Sequence, residues 1–137
     1  MNRYMLDTDI SSYVIREDHP EVTDEFDKCF PDVCISAITV AELQYGAMKR
    51  NSLILTRKIQ AFCNLVQCIA WNTSAAIVYA HLRNELEMKG NIIGSMDMMI
   101  AASAIAEDAI LITKQHGSFL QNSKFETGEL GQIRAGK

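Results

Sequence analysis

Asp7 ends the short apolar run Tyr4-Met5-Leu6 and is followed by Thr8-Asp9. An acid at the carboxyl end of a parallel strand stands where open α/β sheets keep their ligand crevices. Two further acids hold comparable places at the heads of apolar helical runs. They are Glu42, in Ser36-Ala37-Ile38-Thr39-Val40-Ala41-Glu42-Leu43, and Asp97, in Gly94-Ser95-Met96-Asp97-Met98-Met99-Ile100. If the three converge, they form an oxygen-rich pocket suited to a hard divalent cation, Mg²⁺ or Mn²⁺. Such an ion acidifies a water that can attack phosphorus.

Each acid also has a plainer local role to set beside the chemical one. An acid ahead of a helix caps its free N–H groups, and the spacing gives that role to Thr8 or Asp9 rather than Asp7. Thr39-Val40-Ala41-Glu42 matches a capping box, with Thr39 as cap and Glu42 reaching back to its N–H. A glutamate so placed still faces the helix start, near the end of the preceding strand. Asp97 falls in a first helical turn, where the helix dipole favours an acid. Its helix is otherwise apolar, and a charge beside a buried element wants a partner or a metal. His19, His81 and His116 are too scattered for a shared task, and His81 is expected at the surface. Met96, Met98 and Met99 read as packing residues.

The elements that must position the acids alternate between strand and helix. Strands are expected at Tyr4–Leu6, Val33–Ser36, Gln67–Ala70 and Ala109–Thr113. Helices are expected at Ser11–Arg16, Glu21–Phe30, Thr39–Lys49 and Leu53–Val66, the last anchored by Phe62, Leu65 and Val66. A further amphipathic helix at Ala75–Lys89 carries Ile77, Leu82 and Leu86 on its apolar side and stops at Gly90. Met98–Ala106 is apolar nearly all round and reads as a central buried helix. Such alternation implies a parallel sheet covered by helices on both faces. The Gly-rich polar tail after Phe119 is expected to be loosely ordered or to add one edge strand.

At 137 residues the chain has room for one domain with one real core. Its apolar share of 48% and charged share of 22% are those of a folded protein, which argues against a chain disordered as a whole. No apolar stretch reaches membrane-spanning length and no signal-peptide layout opens the chain, so a cytoplasmic protein is expected. The net charge of −4 argues against a protein that coats nucleic acid, although an acidic metal site lowers net charge by itself. Cys29, Cys34, Cys63 and Cys68 form no Cys-x-x-Cys pair and have no His at zinc-ligand spacing. They are expected to be free thiols, mostly buried.

Leu6-Asp7-Thr8-Asp9 resembles the Leu-Asp-Thr-Asn opening of PIN-domain nucleases. Ile35-Ser36-Ala37-Ile38-Thr39-Val40-Ala41-Glu42-Leu43-Gln44-Tyr45-Gly46-Ala47 is similar to the VapC toxin segment that carries the second acid. The stretch from Leu82 to Gly90, followed by Ile93-Gly94-Ser95-Met96-Asp97-Met98-Met99-Ile100-Ala101-Ala102, is similar to the VapC stretch around the third. The resemblance implies a PIN-like three-layer α/β/α sandwich with a central parallel sheet of four or five strands. It implies an endoribonuclease toxin dependent on Mg²⁺ or Mn²⁺, homodimeric, and held inactive by a cognate VapB-like antitoxin. Ile10, Tyr13 and Val14 are then shared between the antitoxin groove and the core.

Asp7, Glu42 and Asp97 match the family's first three acids and are the expected catalytic and metal-binding residues. Asp7 and Asp97 are assigned as main ligands, and Glu42 as holder of a water or general base. Thr8, Ser36 and Thr39 are expected to orient them, and Arg83 and Lys114 to contact RNA phosphates. Two departures stand out. Asp9 replaces the usual Asn and adds a negative charge. Gln115 occupies the place of the fourth acid, after Thr113-Lys114, which weakens a second metal site. Two other readings remain at this point. Asp7-Thr8-Asp9 fits the Asp-x-Asp of haloacid-dehalogenase-type phosphatases, but no late acidic pair follows the last strand. A catalytically inactive PIN-like binding module is the other.

Overall fold

The computed structural model describes residues 3–91, 93–115 and 118–121, those beyond Thr113 by their backbone alone. Five strands form one sheet in the order β3-β2-β1-β4-β5. They are β1 (Tyr4–Leu6), β2 (Val33–Ser36), β3 (Gln67–Ile69), β4 (Ile110–Gln115) and β5 (Ser118–Gln121). The first four run parallel, in the register Tyr4↔Val33 and Tyr4↔Ile110. β5 joins antiparallel at the edge, with Lys114 opposite Phe119. Between the strands lie α1 (Thr8–Arg16), α2 (Pro20–Cys29), α3 (Ala37–Arg50), α4 (Leu53–Leu65), α5 (Thr73–Met88) and α6 (Ser95–Ala106).

The period-two alternation of each strand splits the interior into two cores. Met5, Cys34 and Leu111 point to one face and pack against Val78, Leu82 and Leu86 of α5 and the buried residues of α6. Leu6, Ile35 and Ile112 point to the other and meet Ile10 and Val14 of α1, Phe26 of α2, Leu43 of α3 and Ile59 and Phe62 of α4. The result is the three-layer α/β/α arrangement expected, with five strands and an antiparallel fifth. The near-uniform apolarity of α6 reflects its place: Ile100 through Ile105 are all buried.

Several local expectations are corrected. Ile77 and Leu65 are 58% and 55% exposed, so Val78 and Ala75 take the inward positions of α5, and Phe62 and Val66 alone anchor the end of α4. The four thiols are free as expected, but only Cys34 is buried. Ile10 and Val14 belong wholly to the core, while half-buried Tyr13 stacks on the His19 ring with centroids 3.8 Å apart.

Candidate active site

Sheet order reverses beside β1: β2 lies on one side and β4 on the other. That is the switch point at which open α/β sheets bind ligands, and Asp7 is its first residue past β1. Its backbone N–H donates to the Ile112 carbonyl at 3.0 Å, which fixes it beside β4. Asp7 is itself the cap of α1: Oδ1 accepts the Ile10 N–H at 2.9 Å. The cap assignment to Thr8 or Asp9 is therefore corrected, because the helix starts at Thr8, earlier than its apolar periodicity suggests. The other oxygen, Oδ2, accepts the Thr113 hydroxyl at 2.5 Å.

These bonds favour the carboxylate, yet burial outweighs them and pushes the Asp7 pKa above its ordinary value. The charges of Asp9 and Asp97 push the same way. Asp97, in the first turn of α6, also titrates above its ordinary value, through burial first and Asp9 second. Gly94 stands at the cap position of that helix and offers no side-chain cap. A β-carbon there would lie 3.5 Å from Asp97 Oδ2. Asp7, Asp9 and Asp97 thus form one mutually repelling group.

Glu42 is reached through Thr8, whose hydroxyl donates to Glu42 Oε1 at 2.5 Å and stands 3.4 Å from Thr39 Oγ1. The capping box at Thr39 does not form. α3 begins two residues earlier, at Ala37, and its cap is Ser36, whose Oγ accepts the Ile38 N–H at 3.1 Å. Glu42 therefore sits in the second turn, free of the helix start, and is held toward α1 by Thr8. Ser36 and Thr39 are fully buried beneath it. Among the described residues, no three acid, His or Cys side chains stand close enough together to enclose an ion. The donor chemistry still suits a hard cation, because Mg²⁺ needs only one or two carboxylates and completes its shell with water and phosphate.

Thr113 is the partner that sequence reasoning missed; it served only as a landmark for the fourth acid. Nothing short of the β1–β4 pairing reveals its contact with Asp7. Arg83 lies on the exposed side of α5, where Glu87 at 3.0 Å and the Tyr79 hydroxyl at 3.1 Å both engage it. The side chains of Lys114 and Gln115 lie outside the described residues, as does His116. Beside the acids, a cavity of about 160 Å³ opens between α1, α3 and α4. Leu43, Leu55 and Ile59 line its apolar part, and Asp9, Glu42, Arg16 and Arg50 its polar part.

Comparison with known proteins bears on this geometry. The model of the PIN domain family matches residues 4–120. Ribonuclease VapC2 of Rickettsia felis is 36% identical over 119 residues, which are 85% of this chain and 89% of the relative. The tRNA(fMet)-specific endonuclease VapC of Salmonella typhimurium is 32% identical over 124 residues, 87% of this chain and 91% of the relative. The crystal structure of VapBC2 from Rickettsia felis, bound to a DNA fragment from their promoter, superposes with a TM-score of 0.77. That match has 35% sequence identity and covers 90% of both chains.

Proposed function

The chain belongs to the PIN-domain family and within it to the VapC ribonucleases, and on that premise we propose which of its residues carry the activity. It is an endoribonuclease toxin of a toxin–antitoxin pair. A family match over residues 4–120 sets aside the phosphatase reading of Asp7 and Asp9.

Asp7 and Asp97 hold the divalent cation, Mg²⁺ or Mn²⁺, and Asp9 adds charge that raises the site's appetite for it. The observation that carries this reading is that Asp7 at the switch point and Asp97 in the first turn of α6 are both held above the ordinary carboxylate pKa, by burial first and also by the charge of Asp9. Like charges so placed are relieved by a cation. The bound ion supplies charge neutralisation and acidified water. Thr113 and the Ile10 N–H fix the Asp7 carboxylate so that neither oxygen can swing away. Thr8 holds one oxygen of Glu42 and leaves the other to orient water and accept its proton. Gln115 offers a neutral oxygen and no second charge.

The substrate is a structured RNA, a tRNA or rRNA loop, whose phosphates Lys114 and Arg83 approach once Arg83 leaves Glu87. The cavity between α1, α3 and α4 supports docking of a VapB-like antitoxin segment, apolar against Leu43 and Ile59 and polar at the acid end. Exposed Tyr45 and Met48 on α3, with Ile77 and Met88 on α5, support a homodimer. Among the described residues no helix is long and apolar enough to cross a membrane, and the site of action we propose is the cytoplasm.

The test is sequencing of RNA ends after brief expression in a bacterial host, paired with cleavage of total RNA in vitro with Mg²⁺, Mn²⁺ or a chelator. A single dominant cut that needs the ion and vanishes in Asp7→Asn is the expected result. Cleavage that persists in chelator would overturn the metal assignment, and no cleavage under any condition would return the inactive-module reading.

A further inference from the structure

Cys63 lies in the last turn of α4, and Cys68 in the middle of β3, an edge strand of the sheet among the described residues. The last carbonyls of a helix lack intrahelical partners. One of them, Cys63 O, lies 3.6 Å from the Cys68 thiol, which donates to it. The same fold-back sets the Cys68 thiol against the end of α4, where it also reaches the Val66 carbonyl at 4.0 Å. Both thiols are free; Cys68 is exposed and Cys63 half-buried. The other two cysteines are placed differently. Cys34 points into the opposite core, where burial pushes its pKa up to about 11, and Cys29 ends α2.

We propose that Cys63 and Cys68 form an oxidisable dithiol, a modification site at which a peroxide closes a disulfide between α4 and the sheet edge. Exposure makes Cys68 the thiol that meets the oxidant. Its thiolate attacks one peroxide oxygen: an S–O bond forms, the O–O bond breaks, and hydroxide leaves with the electron pair. Cys63 then attacks the Cys68 sulfur, the S–S bond forms, the S–O bond breaks, and water leaves with the Cys63 proton. Two thiols are oxidised and one peroxide is reduced to two waters. Burial holds the Cys63 pKa up, which suits the slower resolving role rather than first attack.

The bridge ties the end of α4 to β3. Leu55 and Ile59 on the same helix line the cavity beside the acids, so the dithiol sits at the far end of a helix that borders that cavity. Nothing in the catalytic reading uses either cysteine.

The experiment treats the folded full chain with hydrogen peroxide after removal of reductant, alkylates, and digests with trypsin. No Lys or Arg separates the two cysteines, so both fall in the tryptic peptide Ile59–Arg83. The expected result is that peptide lighter by about two mass units and unalkylated, with Cys29 and Cys34 alkylated. Reductant should reverse it. Cys63→Ser should instead leave a sulfenic acid at Cys68 that a dimedone probe traps, while Cys68→Ser should show neither product. The oxidised chain should melt a few degrees higher than the reduced one. Stepwise oxygen addition to Cys68 in the unaltered chain, or a bridge that includes Cys29 or Cys34, would overturn the proposal.

Discussion

Asp7 performs two jobs whose contributions to stability have opposite signs, and two substitutions separate them. Its Oδ1 caps α1 through Ile10, and its Oδ2 takes the Thr113 hydroxyl. Asparagine caps helices about as well as aspartate and carries no charge, so Asp7→Asn keeps the first job and removes the repulsion with Asp9 and Asp97. Asp7→Ala removes both. Loss of the cap costs about 0.5–2 kcal/mol. The hydrogen bond from Thr113 is worth about 1 kcal/mol more. The alanine variant should therefore melt about 1.5–3 kcal/mol below the asparagine variant, roughly 5–15 °C in a chain of this size. The pH dependence follows from the raised pKa. Stability linked to protonated Asp7 is fully present below the ordinary carboxylate value of 3.8 and is lost as pH rises through the folded pKa. Without divalent cation, Asp7→Asn should thus melt above the unaltered protein at pH 7, and the advantage should disappear below about pH 4. Calorimetry across that range reads stability, and cleavage of total RNA reads function, which both variants should lose by about 100-fold or more. An asparagine variant that melts lower at pH 7 would refute the repulsion. Equal melting of the two variants would refute the cap, and wild-type cleavage by either would remove Asp7 from the chemistry.

Added Mn²⁺ should raise the melting temperature of the unaltered protein, and Asp97→Asn should abolish that rise; a variant that still responds fully would place the ion away from Asp97. Thr8→Val frees Glu42 without touching an acid and should lower kcat by about 10–100-fold while leaving Mn²⁺ affinity nearly unchanged. Gln115→Asp should tighten Mn²⁺ binding in a calorimetric titration, and unchanged affinity would put position 115 beyond the ion's reach.

The pattern of alternating strand and helix was legible because the central strands β1 and β2 are apolar on both faces, while most helices are apolar on one and α6 nearly all round. β1 and β2 carry the bounds their apolar runs suggest, and the three-layer arrangement follows from alternation alone. What the residues hid is a matter of helix starts. α1 begins at Thr8 and α3 at Ala37, each earlier than its first apolar repeat, because the cap is the residue just past the strand, Asp7, or the last residue of the strand, Ser36. The strand-to-helix junction has no loop, and that shifts the caps to Asp7 and Ser36. Ile77 and Leu65 misled for a different reason: apolar side chains at the right spacing can still face outward when a neighbour at the next position, Val78 or Val66, fills the core.

The same junction explains why the site could be read at all. A residue that leaves a central strand and caps the next helix has both carboxylate oxygens committed, one along the helix axis and one across to the neighbouring strand. Asp7 meets that description through Ile10 and Thr113. Yet hydrogen bonding at that level does not offset its burial and the charges of Asp9 and Asp97. A purely structural cap would be better served by asparagine or serine, which cap as well without charge. Burial and those charges make an ionised acid at position 7 costlier to the metal-free fold than a neutral cap, and the melting of Asp7→Asn at pH 7 measures that cost.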